Sequence, residues 1–305
     1  VDGRHVVTES EHAERFTHLR PLLFTIVYEI LGSATESDDV LQDSYLRWAQ
    51  VELSTVRDTK SYLAQLVTRE ALNALRARAR RREDYVGPWL PEPLLLDEAD
   101  ASADVVLAES VSMAMLVVLE TLTPDERAVF VLREVFGFDY DEIAGAVGRP
   151  AATVRQLAHR AREHVQARRR RFGPVDADRV SDVTERFLAA ADTGDMAGLM
   201  ALLAPDVVWT TDSGGKATAA RRPITGADRV ARVLLRFFEF GRTVPGVRFE
   251  LANCNNSPAI VIHRDDVLEG VFLLEIAGDR VTNLYGMRNP DKLAGFTGPR
   301  PITRQ

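Results

Sequence analysis

Gln156 and His159, flanked by Arg155 and Arg160, fall on one face of a stretch with helical periodicity, Ala151–Arg168. A glutamine side chain can take adenine through paired hydrogen bonds, and arginine or histidine can reach a base edge or a phosphate. Thr153 and the free amides at the helix start can hold a further phosphate. Arg168–Arg171 lie beyond the groove contact and suit backbone clamping. A second basic island, with Asn73, Arg76, Arg80 and Arg81, ends an earlier helical stretch. Asp212, with Lys216 or His263, offers a different chemistry: a general base beside an oxyanion donor, or a plain tight turn. The single cysteine, Cys254, cannot form an internal disulfide or build a cysteine-rich zinc site. No metal ligand set, cofactor motif or catalytic residue is assigned.

These residues need elements to hold them. Val154, Leu157, Ala158, Ala161 and Val165 form the apolar stripe opposite Gln156, and should pack on the helix that ends at Val147. Gly148-Arg149-Pro150 separates the two helices, which is the outline of a helix-turn-helix. Thr123-Pro124-Asp125-Glu126 marks a helix start, and a helix is expected from Asp104 to Leu122. Upstream, residues 1–11 read as a loose tail. One helix runs from Phe16 to Gly32, a second starts at Ser37 as N-cap, and a third spans Ser61–Arg82 behind a polar loop at 52–60. Tyr85–Pro93 carries prolines that forbid a helix and aromatics that seek burial, and 94–103 reads as an acidic linker. Beyond Gly173-Pro174 the pattern changes to helices followed by strands at 247–253, 258–264, 268–277 and 280–287.

Bulk properties set bounds. The 305 residues suggest two or three domains, and 46% hydrophobic with 27% charged is ordinary for a soluble protein. A net charge of −7 argues against indiscriminate coating of nucleic acid, so the basic islands matter by position. No signal peptide or membrane span is visible, and a cytoplasmic setting without membrane contact is expected.

Taken together, the islands resemble the extracytoplasmic-function sigma factors of RNA polymerase. Asp38-Asp39-Val40-Leu41-Gln42-Asp43 through Trp48-Ala49 resembles the region-two helix that grips the polymerase, and Ser61–Arg76 resembles the helix that reads and opens the minus-ten element. The helix-turn-helix resembles region four, which reads the minus-thirty-five element. Within the family the chain is similar to the SigJ-like group with a SnoaL-like extension. The carriers are Tyr85-Val86-Gly87-Pro88-Trp89-Leu90-Pro91-Glu92-Pro93, Asp212-Ser213-Gly214-Gly215-Lys216 and Asn289-Pro290-Asp291-Lys292-Leu293.

The resemblance implies a multidomain fold: a region-two helical domain (12–84), a linker (85–103), a region-four helical domain (104–172), a second linker (173–180) and an α+β SnoaL-like cone (181–294). It implies core RNA polymerase and double-stranded and melted promoter DNA as partners, with Asp38, Asp39, Gln42 and Asp43 facing the polymerase. Acids there can pair with a basic coiled coil. It also implies that the extension tunes activity without a separate anti-sigma factor. Trp89 and the Asp212–Lys216 loop are then expected on one internal interface, with Asn289–Leu293 packing the chain back. A small-molecule ligand of the C-terminal domain stays open. So does a metabolite-sensing or enzymatic domain fused to a conventional DNA-binding regulator.

Overall fold

The computed structural model describes residues 3–81, 85–96, 104–168 and 177–304, with backbone alone for 3–10, 79–81 and 177. The expected contacts of the acidic stretch 97–103 and of Arg169–Arg171, and the side chains of Arg80 and Arg81, lie outside the described residues. No described helix is long and apolar enough to cross a membrane.

Helix α1 spans Gly3–Leu31, so the expected loose tail is instead helical from Gly3. No glycine or proline interrupts the sequence between Arg4 and Arg20. Gly32 at φ +67° ends α1. Helix α2 (Ala34–Trp48) starts earlier than its sequence suggests: Ser33 is the N-cap and accepts from the Glu36 amide, while Ser37 is buried one turn inside. Helix α3 spans Thr59–Arg81. Trp48 fills the core of this bundle and donates from Nε1 to the His12 carbonyl at 3.0 Å.

The helix expected from Asp104 to Leu122 is two, α4 (Val105–Ser110) and α5 (Met113–Leu119). Ser112 takes an extended ψ of 145° and caps the second. Thr123 and Glu126 form a capping box at the start of α6 (Pro124–Phe130), which continues as a π-helical turn, Val131–Val135. Helices α7 (Tyr140–Val147) and α8 (Ala151–Arg168) meet at Gly148, φ +69°, a left-handed residue that closes α7 and turns the chain. Buried residues of α1–α3 and of α4–α8 join in one continuous apolar core, from Leu23 and Leu63 to Leu116, Val129 and Val154.

Helices α9 (Ala177–Thr193) and α10 (Met196–Leu202) lead into strand β1 (Leu203–Asp212). After β2 (Ile224–Thr225), α11 (Ala227–Thr243) precedes β3 (Val247–Cys254), β4 (Ser257–Arg264), β5 (Val267–Ala277) and β6 (Arg280–Met287). The strand order is β2-β1-β6-β5-β4-β3, antiparallel except for the parallel β1–β6 pair. Period-two alternation gives the sheet two apolar faces. Ile260, Ile262, Phe272 and Leu284 pack under α9–α11, whereas Val261, Val271, Leu273, Tyr285 and Met287 pack against Leu90, Met113 and Leu293. The second face therefore lies on the helical part of the protein and on the segment between α3 and α4.

Candidate promoter and interdomain sites

On α8 the apolar stripe is buried as its periodicity requires, and Arg155, Gln156, His159 and Arg160 are exposed. Thr153 is half-buried at the first turn. Two cations are already engaged. Arg160 Nε donates to Glu126 at 3.1 Å, and Arg155 lies 5.4 Å above the Tyr140 ring. His159 stands 3.6 Å from Glu163. Gln156 faces solvent.

The α3 face is less free. Asn73 is exposed, but Arg76 donates to Asp125 of α6 at 2.6 Å, and Asp125 also takes Arg149 of the helix turn at 2.9 Å. Burial tends to raise the Asp125 carboxyl pKa, and the two guanidiniums outweigh it and hold it below the ordinary value. Two contacts farther along α3 repeat the docking: Ser61 Oγ donates to Glu142 at 2.7 Å and Arg69 to the Gly145 carbonyl at 3.1 Å. The helix expected to read melted DNA is thus laid against the helix-turn-helix.

On α2, Asp39, Gln42 and Asp43 are exposed. Asp38 is not free: Arg20 and Arg300 each reach one of its oxygens at 2.9 Å.

The segment 85–96 runs extended between the helical part and the sheet. Asp212, at the end of β1, is fully buried and accepts from the Leu90 amide at 2.9 Å, the Gly214 amide at 3.1 Å, Lys292 Nζ at 2.7 Å and the Tyr85 hydroxyl. Both of its oxygens are thereby committed, one to Tyr85 and Gly214 and the other to Leu90 and Lys292. Asn289 caps the short helix α12 (Pro290–Leu293) and donates to the Tyr85 hydroxyl at 2.9 Å. Lys216 pairs with Asp291, so loop and tail close on each other. Gly214 sits at φ +56°, where an added Cβ would meet Asn289 Nδ2 at 2.6 Å. Lys292 Nζ is 3.2 Å from the centroid of the Trp89 ring, and burial pulls its pKa down to about 8 against the attraction of Asp212. Burial, then the Asp212 contact, push the Tyr85 phenol up. Pro88 is half-buried, and Pro91 packs at Gly32.

Two residues that the sequence reading passed over complete the junction. Glu92 accepts from Ser33 Oγ at 2.8 Å and from the Thr35 amide at 3.0 Å, so the segment caps α2 from outside. Arg78, on α3 between expected DNA contacts, is buried. It donates to the Leu31 carbonyl at 2.6 Å and lies 5.1 Å from the Trp89 ring. The signal for Arg78 was available: it is two residues from Arg76 on a helix and therefore points elsewhere.

Family models match this chain in order: "Sigma-70 region 2" over residues 15–81, "Sigma-70, region 4" over 112–165 and "SnoaL-like domain" over 184–283. The ECF RNA polymerase sigma factor SigJ of Mycobacterium tuberculosis is 35% identical over 291 residues, 92% of each chain. The probable ECF sigma factor SigI of the same species is 29% identical, covering 90% of this chain and 92% of its own. The crystal structure of M. tuberculosis SigJ superposes with a TM-score of 0.73 at 31% identity, over 93% of this chain and 98% of that one. The chain belongs to the extracytoplasmic-function sigma factors. It directs promoter-specific transcription initiation through regions 2 and 4 and carries a SnoaL-like domain behind them.

In this sigma factor the SnoaL-like domain reaches into the helical core at one further point. Asn255, fully buried at φ 53° in the β3–β4 turn, donates from Nδ2 to the Tyr28 hydroxyl at 2.7 Å and to the Val111 carbonyl at 2.8 Å. Its Oδ1 accepts from the Leu94 amide at 2.8 Å. Leu94 and Leu96 are buried and Leu95 forms an isolated antiparallel bridge with Cys254, so the described start of the expected acidic linker lies along the edge of β3. The hydrophobic side chains and the free edge of β3 outweigh the local acidity. Region 2, the helix that leads into region 4, the segment 85–96 and the SnoaL-like domain all meet at this one amide.

Proposed function

We propose that this sigma factor rests in a closed form in which its SnoaL-like domain holds regions 2 and 4 together, and that initiation requires that form to open. The carrying observation is the Arg76–Asp125 contact at 2.6 Å, which pins the minus-ten helix to region 4. The two promoter elements are named for positions about 25 base pairs apart, or about 85 Å of duplex at 3.4 Å per base pair. Regions in direct contact cannot engage both.

Within this reading Asn73, Arg76, Arg80 and Arg81 neutralise and hold the opened strand. Thr153, Arg155, Gln156, His159 and Arg160 engage upstream DNA, and Asp38, Asp39, Gln42 and Asp43 face core polymerase. Tyr85, Trp89, Asp212, Asn289 and Lys292 are the regulatory junction, acting in cis without need of a separate anti-sigma factor. The C-terminal domain acts here by contact and not by catalysis. Asp212 is committed to the linker, and the interior of the cone is lined by Trp209, Phe237, Phe238, Phe272 and aliphatic neighbours. Trp209 Nε1 finds no hydrogen-bond partner among the described residues, and none of these lining side chains brings a general acid or base.

The test is initiation in vitro with core polymerase, comparing the full chain with one ending near Phe172. The shorter chain is expected to initiate more strongly at the same promoter. Equal output from the two would remove the regulatory role.

A further inference from the structure

After α12 the chain does not leave the molecule. Gly295 passes beside Thr35, where an added Cβ would lie 2.5 Å from Oγ1. Arg300 takes Asp38 Oδ2 at 2.9 Å, its guanidinium lies 5.5 Å from the Phe24 ring, and its amide donates to the Leu95 carbonyl at 2.9 Å. Ile302 is buried in the core shared by regions 2 and 4. The Thr303 amide donates to Thr25 Oγ1 at 3.1 Å, and Arg304 pairs with Asp104, the N-cap of α4. The segment is thus fastened to α1, to the start of α2, to the linker and to the entry of region 4. It lies beyond the residues matched by any of the family models.

We propose that residues 295–304 form a strap that competes with core polymerase for the Asp38 corner of region 2. This rests on the reading that the Asp38–Asp43 face docks on polymerase. With Arg20 on one oxygen and Arg300 on the other, Asp38 has no charge to offer a third basic partner. Asp39 and Asp43, on the same helix, make no ion pair among the described residues and stay available. A basic surface approaching α2 can seat on Asp39 and Asp43 first, but it gains Asp38 only by displacing Arg300. Ile302 and the hydrogen bonds of the Arg300 and Thr303 amides make that displacement cooperative, because the arginine sits on a segment fixed on both sides.

The experiment measures the affinity of the full chain for core polymerase. Arg300→Ala combined with Ile302→Ser is expected to bind about threefold tighter or more, the range of a partly exposed ion pair plus lost strap packing. Arg300→Lys should bind as the parent does. Asp39→Ala and Asp43→Ala should weaken binding. If those two weaken it and the strap variant matches the parent, the strap proposal is overturned while the docking surface stands. If Asp39→Ala and Asp43→Ala change nothing, the docking reading fails and the strap has nothing to compete for. A measurement on the unaltered protein guards against variants that merely unfold. Hydrogen exchange at the Arg300 and Thr303 amides should accelerate on polymerase binding, and unchanged protection overturns the strap.

Discussion

A single amide, Asn255, joins four parts of the chain, and its removal is costly in a specific way. Asn255→Ala leaves the Leu94 amide and the Val111 carbonyl buried without these partners and places alanine at a positive φ that asparagine tolerates better. A loss of about 2–4 kcal/mol in urea unfolding is expected, with regions 2 and 4 and the SnoaL-like domain losing their common transition. Two other residues give the protein a pH signature. Glu29 faces Ser110 and Arg127, and burial raises its pKa to about 8 from 4.5. The native state then holds a proton that the unfolded chain releases, so this contribution to stability is full below about 4.5 and is lost as pH rises through about 8. Lys292, facing Asp212, Glu92 and Arg78, is lowered to about 8 from 10.5, so its contribution is full above about 10.5 and is lost as pH falls through about 8. Melting followed across pH should show opposing slopes on the two sides of pH 8. Glu29→Gln should flatten the acid side and Lys292→Met the alkaline side.

At the scale of elements, the extended segment 85–96 is packed on both sides, by Glu92 on α2 and by Leu90 and Leu95 on the sheet. Trp89, between Arg78 and Lys292, couples α3 to α12. Trp89→Ala should therefore change initiation by the full chain several-fold and that of a chain ending near Phe172 much less. Equal effects would place Trp89 outside the regulatory junction. The recognition helix makes an independent prediction. Gln156→Ala should weaken cognate upstream DNA by about 1–3 kcal/mol and scrambled DNA hardly at all, measured at fixed salt. The helix-turn-helix and the later strands were legible because apolar period and turn residues agree there. Asn255 was not, because an Asn-Asn turn in a hairpin looks the same whether it faces solvent or a partner domain. Nor was the Arg76–Asp125 contact: local pattern places charges on a face but says nothing of which face meets it. The break at Val111–Ser112 was hidden for a related reason, since the carbonyl freed there is satisfied by Asn255 from far along the chain.

For the whole molecule, the proposed closed form rests on the α3–α7 contacts, the Asp212 junction, Asn255 and the segment 295–304 together. Asp125→Ala frees Arg76 and Arg149 together while leaving the junction intact. Distances between labels on α2 and α8 should stay short in free Asp125→Ala protein, because the remaining contacts still hold. Labels that separate in this single variant would show that the ion pairs carry closure alone. In the promoter complex the same labels should move apart toward the spacing of the two DNA elements.

The segment from α3 to α4 also sets a length. Fully drawn out, residues 82–103 reach about 75 Å at about 3.4 Å per residue, close to the roughly 85 Å between element centres once the breadth of the regions themselves is added. With 85–96 fastened, as here, residues 97–103 reach only about 24 Å. In the proposed reading the linker is a tether whose usable length depends on whether 85–96 is fastened to the Asp212 junction. An insertion of flexible residues between Leu96 and Asp104 would restore the span without undoing the Asp212 junction. Such a chain should reach both elements with the Asp212 junction still formed, once the α3–α7, Asn255 and strap contacts have opened.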